Sequence, residues 1–216
     1  ESGVERFVEK ILQENPLLSA SDIAKRVTRK ARELDGNKPA DDISCAALYL
    51  RNPRRTILVT GPPYKMEHDP IMAELIEGFN GKKIVSGGTT ASIISRELNR
   101  PLKVNLKEIN SRSEIPPTAE MAGIDLVTEG TITLSRCLRA LEDGDNPDTM
   151  PDNAVKRMLT ILLESDIIEF VIGTKINEAH QDPALPKDLE IRRNLMKKFS
   201  EVLETKYLKS TRVLFL

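Results

Sequence analysis

The chain has 216 residues, of which 39% are hydrophobic and 30% charged, and its formal net charge is −1. This balance is typical of a soluble globular protein with room for one ordinary domain, or for one domain and a fragment of another. The near-neutral charge, the 4% of aromatic residues and the absence of Trp argue against binding to nucleic acid or to an anionic membrane. No apolar run approaches the roughly 20 residues of a membrane span.

Two amphipathic helices are predicted at the start of the chain. Apolar residues recur at helical spacing over residues 4–13, and Pro16 prevents this helix from continuing. Ser19 and Asp22 are three residues apart, which is the pattern of a capping box. This box predicts a second helix over residues 20–34.

Two adjacent carboxylates, Asp41 and Asp42, precede an apolar run at 43–50 that predicts a strand. Carboxylates at the start of a strand suit hard divalent cations, which prefer oxygen ligands; a solvated turn is the alternative interpretation. About 50 residues bury too little apolar surface to fold alone. We therefore expect this strand to pair with the next one at 56–60, or the two helices to pack against the rest of the chain.

Residues 51–55 contain Pro53 and three arginines and are predicted to form a linker. Beyond them, short apolar runs alternate with amphipathic helices. Such alternation predicts an α/β fold with a mainly parallel sheet covered by helices, so we divide the chain into segments 1–52 and 53–216. The strands of the second segment are predicted at 56–60, 83–86, 102–105, 124–128, 167–172 and 212–216, with helices near 69–79, 89–99, 131–142, 152–164 and 187–207.

Several of these strands end in loops rich in glycine and hydroxyl groups. In open α/β sheets, ligands bind beyond the carboxyl ends of parallel strands, where glycines permit close approach and helix N-terminal amides bind phosphate or carboxylate. Residues 86–90, from the end of the strand at 83–86 into the following loop, hold two glycines and three hydroxyls, more than a helix cap requires. The residues predicted to bind a ligand are Ser86, Gly87, Gly88, Thr89, Thr90, Glu129 and Lys175.

Each of these residues has an assigned role. We expect outward-facing amides at Gly87 and Gly88, an acid, base or hydroxyl-binding group at Glu129, and the positive charge for an anion at Lys175. One phosphate should then contact both the Gly87 amide and the Lys175 ammonium. Glycines at 61 and 130 are interpreted as ordinary turns and helix caps. Neither the P-loop nor the Gly-x-Gly-x-x-Gly spacing is present.

The only cysteines are Cys45 and Cys137. Their spacing forms neither a zinc-binding pattern nor a disulfide framework, and each is interpreted as a small buried hydrophobic residue. Two reduced thiols fit the cytoplasm, which is the location we expect.

The stretches at 19–27 (SASDIAKRV) and 35–45 (DGNKPADDISC) resemble the end of the catalytic domain of the stage II sporulation protein E family. These proteins are bacterial metal-dependent phosphatases of type 2C. In that family, the first Asp of a terminal Asp-Asp-x-Ser/Thr motif is a metal ligand, and the resemblance assigns this role to Asp41. It also implies Mn²⁺ or Mg²⁺ as cofactor and a regulatory protein carrying phosphoserine or phosphothreonine as substrate.

The resemblance covers only the first segment. A type 2C centre needs further aspartates from upstream, and the chain begins at Glu1 without an initiator Met, so we expect it to come from a longer protein. We interpret 1–52 as the C-terminal remnant of a phosphatase domain and 53–216 as an appended domain that senses a small anionic ligand. This chain alone should be inactive. The alternatives are an independent nucleotide- or phosphate-binding α/β enzyme, or a docking domain without a ligand.

Overall fold

A computed structural model describes residues 2–105, 115–175 and 187–216, with side chains from residue 192 onward in the last range. The chain divides into two compact units, Glu1–Asn52 and Pro53–Leu216, called here the first and the second unit.

The first unit contains the two predicted helices, α1 (Ser2–Glu14) and α2 (Ala20–Leu34). The capping box at the start of α2 is present, because the Asp22 amide donates to Ser19 Oγ at 3.1 Å. A small apolar core of Ile11, Leu18 and Ile23 holds the unit together. Its size agrees with the limited apolar surface of a segment this short.

The described residues of the second unit form a seven-stranded sheet in the order β3-β4-β5-β2-β1-β6-β7. Neighbours are parallel from β5 to β7, whereas β3 and β4 extend one edge in antiparallel pairing. The α/β class and the mainly parallel sheet are thus confirmed. The strands are β1 (Arg55–Thr60), β2 (Lys82–Ser86), β3 (Lys103–Val104), β4 (Ala119–Glu120), β5 (Leu126–Thr128), β6 (Ile167–Ile172) and β7 (Ser210–Phe215).

Helices cover both faces of this sheet. The sheet residues Ile57 and Val59 pack with α3 and α4, and the intervening Leu58 packs with α5, α6 and α7, because successive residues of a strand point to opposite faces. The chain fills one half of the sheet through β1, β2 and β5 and then crosses to β6 and β7, as in doubly wound folds. The helices are α3 (Asp69–Glu77), α4 (Gly88–Glu97), α5 (Thr131–Asp143), α6 (Ala154–Glu164) and α7 (Lys187–Thr205).

Two expectations about strands were wrong. Residues 43–50 form no strand, and β1 has β2 on one side and β6 on the other, so 43–50 is not its neighbour. The segment keeps an alternating pattern, with Ile43, Cys45 and Ala47 half-buried, but the described residues of the first unit offer no strand to pair with. The two-residue strand β4 was not predicted because its sequence is too short to show a period.

Candidate ligand site at the carboxyl edge of the sheet

The loops that follow β2 and β5 run side by side. The Gly87 amide donates to the Thr128 carbonyl at 2.9 Å, and the Gly88 amide donates to the Glu129 carbonyl at 3.0 Å. The parallel pairing of the two strands therefore continues into their loops. The expectation that these two amides face outward was wrong, because both are used to join the loops.

Two glycines permit this contact. Gly87 and Gly130 have φ angles of 119° and 142°, a backbone conformation that side chains rarely adopt. A Cβ atom at Gly130 would lie 3.2 Å from the Gly87 Cα. The interpretation of Gly130 as an ordinary cap missed this approach, which depends on a loop about 40 residues away in sequence and cannot be inferred from local pattern.

The helices α4 and α5 begin directly after these glycines. Gly87 and Gly130 are their N-cap residues, and neither helix has a capping side chain. The first amides of a helix have no partner within the helix. Within the described part of the chain, five amides therefore remain without a hydrogen-bond acceptor, those of Thr89, Thr90, Thr131, Ile132 and Thr133.

A row of buried hydroxyls supports the loops from below. Thr60, Ser86 and Thr128 are the last residues of β1, β2 and β5, lie in register and are at most 3% exposed. Thr128 Oγ1 donates to Ser86 Oγ at 3.0 Å. Ser86 is therefore placed to hold the β5 loop rather than to meet a ligand, and Thr60 and Thr128, which the sequence reasoning left out of the site, belong to the same row.

The predicted ligand-binding residues accordingly divide by exposure. Gly88, Thr89 and Glu129 are exposed, whereas Thr90 is buried like Ser86. A Cβ atom added at Gly88 would meet no atom within 4 Å. Open space thus lies over the start of α4, and Glu129, whose backbone carbonyl accepts the Gly88 amide, is exposed beside it in the paired loop.

Lys175 lies at the same edge of the sheet but two strands away. It is exposed and follows β6, and β1 separates β6 from β2. Adjacent strands are about 4.8 Å apart, which puts the two loops roughly 10 Å from each other. Lys175 reaches a ligand at Gly88 only if its side chain extends across the loop that follows β1.

The loops after β1 and β6 are in close backbone contact, which leaves no space between them. Doubly wound folds usually bind ligands where the strand order reverses, which here is the β1/β6 boundary. Gly173 lies so close to this loop that a Cβ atom would overlap the carbonyl oxygens of Gly61 and Pro62. The Lys175 amide also donates to the Pro62 carbonyl at 3.1 Å. The chain's own backbone therefore fills this position.

Asp41, the predicted metal ligand, is exposed in the first unit, where its Oδ1 accepts the Asp42 amide at 2.8 Å. The described residues contain no cluster of three His, Cys, Asp or Glu side chains that could hold a metal ion, at Asp41 or elsewhere. Mg²⁺ prefers six oxygen ligands, several of which are usually water. The residues described here thus do not make up a two-metal centre.

Comparison of the chain with family models, with curated proteins and with solved structures finds no match. Among the helices of the described residues, none combines the length and the apolar character needed to cross a membrane.

Proposed function

We propose that the second unit binds a small anionic ligand at the starts of α4 and α5. The observation that carries the proposal is the pairing of two uncapped helix N-termini beside the open space over Gly88. Each N-terminus carries a partial positive charge and stabilises an anion by about 0.3–1 kcal/mol at an exposed site. Two of them side by side favour a phosphate or a carboxylate.

The surrounding side chains narrow the class of ligand. The exposed hydroxyls of Thr89 and Thr131 are positioned at the two helix starts to bind the anion. Thr133 Oγ1, in the first turn of α5, is buried without a partner among the described residues. The exposed Glu129 carboxylate would repel the anion but accept hydrogen bonds from hydroxyl groups. A sugar phosphate or a nucleotide satisfies both requirements.

The biological role that we propose for this binding is regulation of a protein serine/threonine phosphatase of the sporulation E type. This part rests on the resemblance of residues 19–27 and 35–45 to the end of that catalytic domain. In the whole protein, Asp41 would hold one of the Mn²⁺ or Mg²⁺ ions, together with ligands supplied from beyond this sequence. Such ions supply a nucleophilic water for phosphate ester hydrolysis.

A thermal-shift series with nucleotides and sugar phosphates tests the ligand site. We expect at least one compound to raise the melting temperature of the chain and of a Gly3→Val control, because Gly3 also lies in the first turn of a helix with no atom near its added Cβ. Gly88→Val should remove the contribution of this site to the rise by filling the open space. The ligand site is refuted if no compound stabilises the chain, or if Gly88→Val responds like the wild type.

Hydrolysis of a phosphoserine peptide with Mn²⁺ tests the phosphatase assignment. We expect the 216-residue chain to be inactive because the described residues do not make up a metal centre. In the natural protein, Asp41→Asn should abolish metal-dependent hydrolysis, whereas Asp35→Asn, at an exposed position after α2, should retain it. Equal activity of the two variants would remove the basis for the assignment.

An independent nucleotide-binding enzyme is the second candidate. The order of the five parallel strands, β5-β2-β1-β6-β7, is the one on which dinucleotides bind in doubly wound folds. Such a ligand would sit at the β1/β6 boundary, and the contact of Gly173 with Gly61 and Pro62 opposes it. Binding of a dinucleotide that survives Gly88→Val and shifts the amide signals of Gly61 and Gly173 would favour this candidate over the sensor.

A further inference from the structure

A groove in the first unit is lined by positive charge. Lys25, Arg29 and Arg32 lie along one face of α2, and together with Ser21 and Cys45 they line an open groove with a volume of about 490 Å³. Residues spaced by three and four are neighbours on a helix surface. With a rise of 1.5 Å per residue, the three cationic groups follow roughly 10 Å of the helix axis. The volume lies in the range of small-molecule sites.

These three cations have no carboxylate partner among the residues that the structure describes. The nearest acidic residues of α2 are engaged elsewhere. Asp22 accepts the Ser19 hydroxyl at 2.6 Å as part of the capping box, and Glu33 pairs with Lys30 at 3.5 Å. Because like charges one turn apart repel each other, an anion from solution would relieve the groove of an unfavourable interaction.

We propose that this groove binds a phosphorylated small molecule. Guanidinium groups donate two parallel hydrogen bonds to a phosphate, whereas an ammonium acts as a point charge, so Arg29 and Arg32 provide recognition and Lys25 adds attraction. The length of the cationic row fits two phosphoryl groups better than one. Ser21 is exposed and supplies a further hydroxyl donor at the end of the row.

The groove is independent of the proposed sensor site, because all of its lining residues belong to the first unit. Cys45 forms part of its wall and is half-buried, whereas Cys137, the other cysteine, lies fully buried in the second unit. A thiol reagent added to the folded chain therefore modifies Cys45 alone. Protection of Cys45 reports occupancy of this groove and of no other site.

Calorimetric titration of the whole chain with inorganic pyrophosphate, at about 0.15 M salt to suppress unspecific attraction, tests the proposal. Arg29→Gln/Arg32→Gln should weaken binding at least tenfold. Arg6→Gln/Arg26→Gln removes the same charge from the first unit outside the groove and should change the affinity less than twofold. Pyrophosphate should also slow alkylation of Cys45 in the wild type. The same protection is expected in Gly88→Val, the variant that alters the ligand site proposed at the start of α4.

Four results would overturn the proposal: no binding, equal weakening in the two double variants, unchanged alkylation of Cys45 at saturation, or loss of binding in Gly88→Val alone. The last would place the pyrophosphate at the sensor loop and leave the proposed function standing. An oligoglutamate peptide that binds more tightly than pyrophosphate would identify the groove as a surface for an acidic protein instead.

Discussion

Two pairs of neighbouring strands end at the same edge of the sheet, and glycines bring their loops together in opposite ways. After β1 and β6, the contact involves Gly173 and the carbonyl groups of Gly61 and Pro62, and it fills the space beyond the strands. After β2 and β5, the contact involves Gly87 and Gly130, and it leaves space over Gly88. The strand order alone favours a ligand at the first pair, whereas the loop geometry favours the second, where we propose the site.

The two pairs of loops differ in whether their polar groups already have hydrogen-bond partners within the chain. At the closed pair, the Gly173 amide donates to the Thr60 carbonyl at 2.9 Å, and the Thr174 amide and hydroxyl both donate to the Leu216 carbonyl, at 2.8 and 2.7 Å. The polar groups at the ends of β1, β6 and β7 thus satisfy one another. At the open pair, the glycine amides are used between the loops, but the helix starts beyond them keep their own amides free. A ligand site requires such unused donors, because a group that already has a partner gains little from a second one.

Alanine substitutions at Gly173 and Gly88 should give the largest difference in the free energy of unfolding between the two pairs of loops. Gly173→Ala forces a Cβ into backbone atoms that cannot rotate away, and we expect a loss of about 3 kcal/mol in the free energy of unfolding. Gly88→Ala enters open space within a helix and should be neutral or stabilising by up to about 1 kcal/mol. Urea unfolding of both variants measures the difference. Similar values for the two variants would contradict the distinction between a closed and an open pair.

Ser86→Ala should produce an intermediate effect. It removes the acceptor of the Thr128 hydroxyl, which is buried, and a buried donor without a partner costs about 1–2 kcal/mol. Ser92→Ala is the matched control, because Ser92 is exposed on α4 and its hydroxyl donates to the Gly88 carbonyl of the same helix. If Ser92→Ala lowers the stability as much as Ser86→Ala, the hydroxyl row does not support the loops.

The smallest effect on stability is expected beyond the other end of β2, where Arg100 donates two hydrogen bonds of 2.7 Å to the Glu77 carboxylate. The hydrogen bond from Arg100 lowers the pKa of Glu77 below its usual range. A lowered folded-state pKa contributes stability above the unfolded pKa of about 4.3, and this stability is lost as the pH falls through the folded pKa.

Arg100→Gln should therefore lower the melting temperature slightly at pH 7 and by less at a pH below both pKa values. Salt should reduce the effect, because both groups are near the surface. Ligand binding at Gly88 should be unaffected, since Arg100 lies beyond the other end of β2. A melting-temperature loss that does not depend on pH would show that Arg100 acts through packing rather than through its ion pair.

The sequence predicted most of the second unit because its strands and helices are long enough to show their periods. The runs at 56–60 and 167–172 became β1 and β6 with nearly unchanged bounds. The strand at 43–50 was wrong because alternation alone does not supply a hydrogen-bonded neighbour. The Gly87–Gly88 loop was chosen as a candidate ligand site because its sequence combines two glycines with several hydroxyl residues.

The finer arrangement of the site was not accessible from local sequence. The partner of Gly87 is Gly130, and the acceptor of its amide is the Thr128 carbonyl; both follow from the adjacency of β2 and β5. That two helix starts, rather than the glycine amides, carry the free donors also follows from this adjacency. The separation of Lys175 from Gly88 likewise depends on the strand order, which hydrophobic patterns do not specify.

The most direct test of the ligand site is a titration of the ¹⁵N-labelled chain followed by amide chemical shifts. AMP and a hexose phosphate serve as probes, and the Arg29→Gln/Arg32→Gln variant is used so that the groove on α2 does not contribute. The account predicts shifts at the starts of α4 and α5, in the amides of Thr89, Thr90, Thr131 and Thr133, with Gly61 and Gly173 unmoved. Shifts centred on Gly61 and Gly173, or none with either probe, would contradict it.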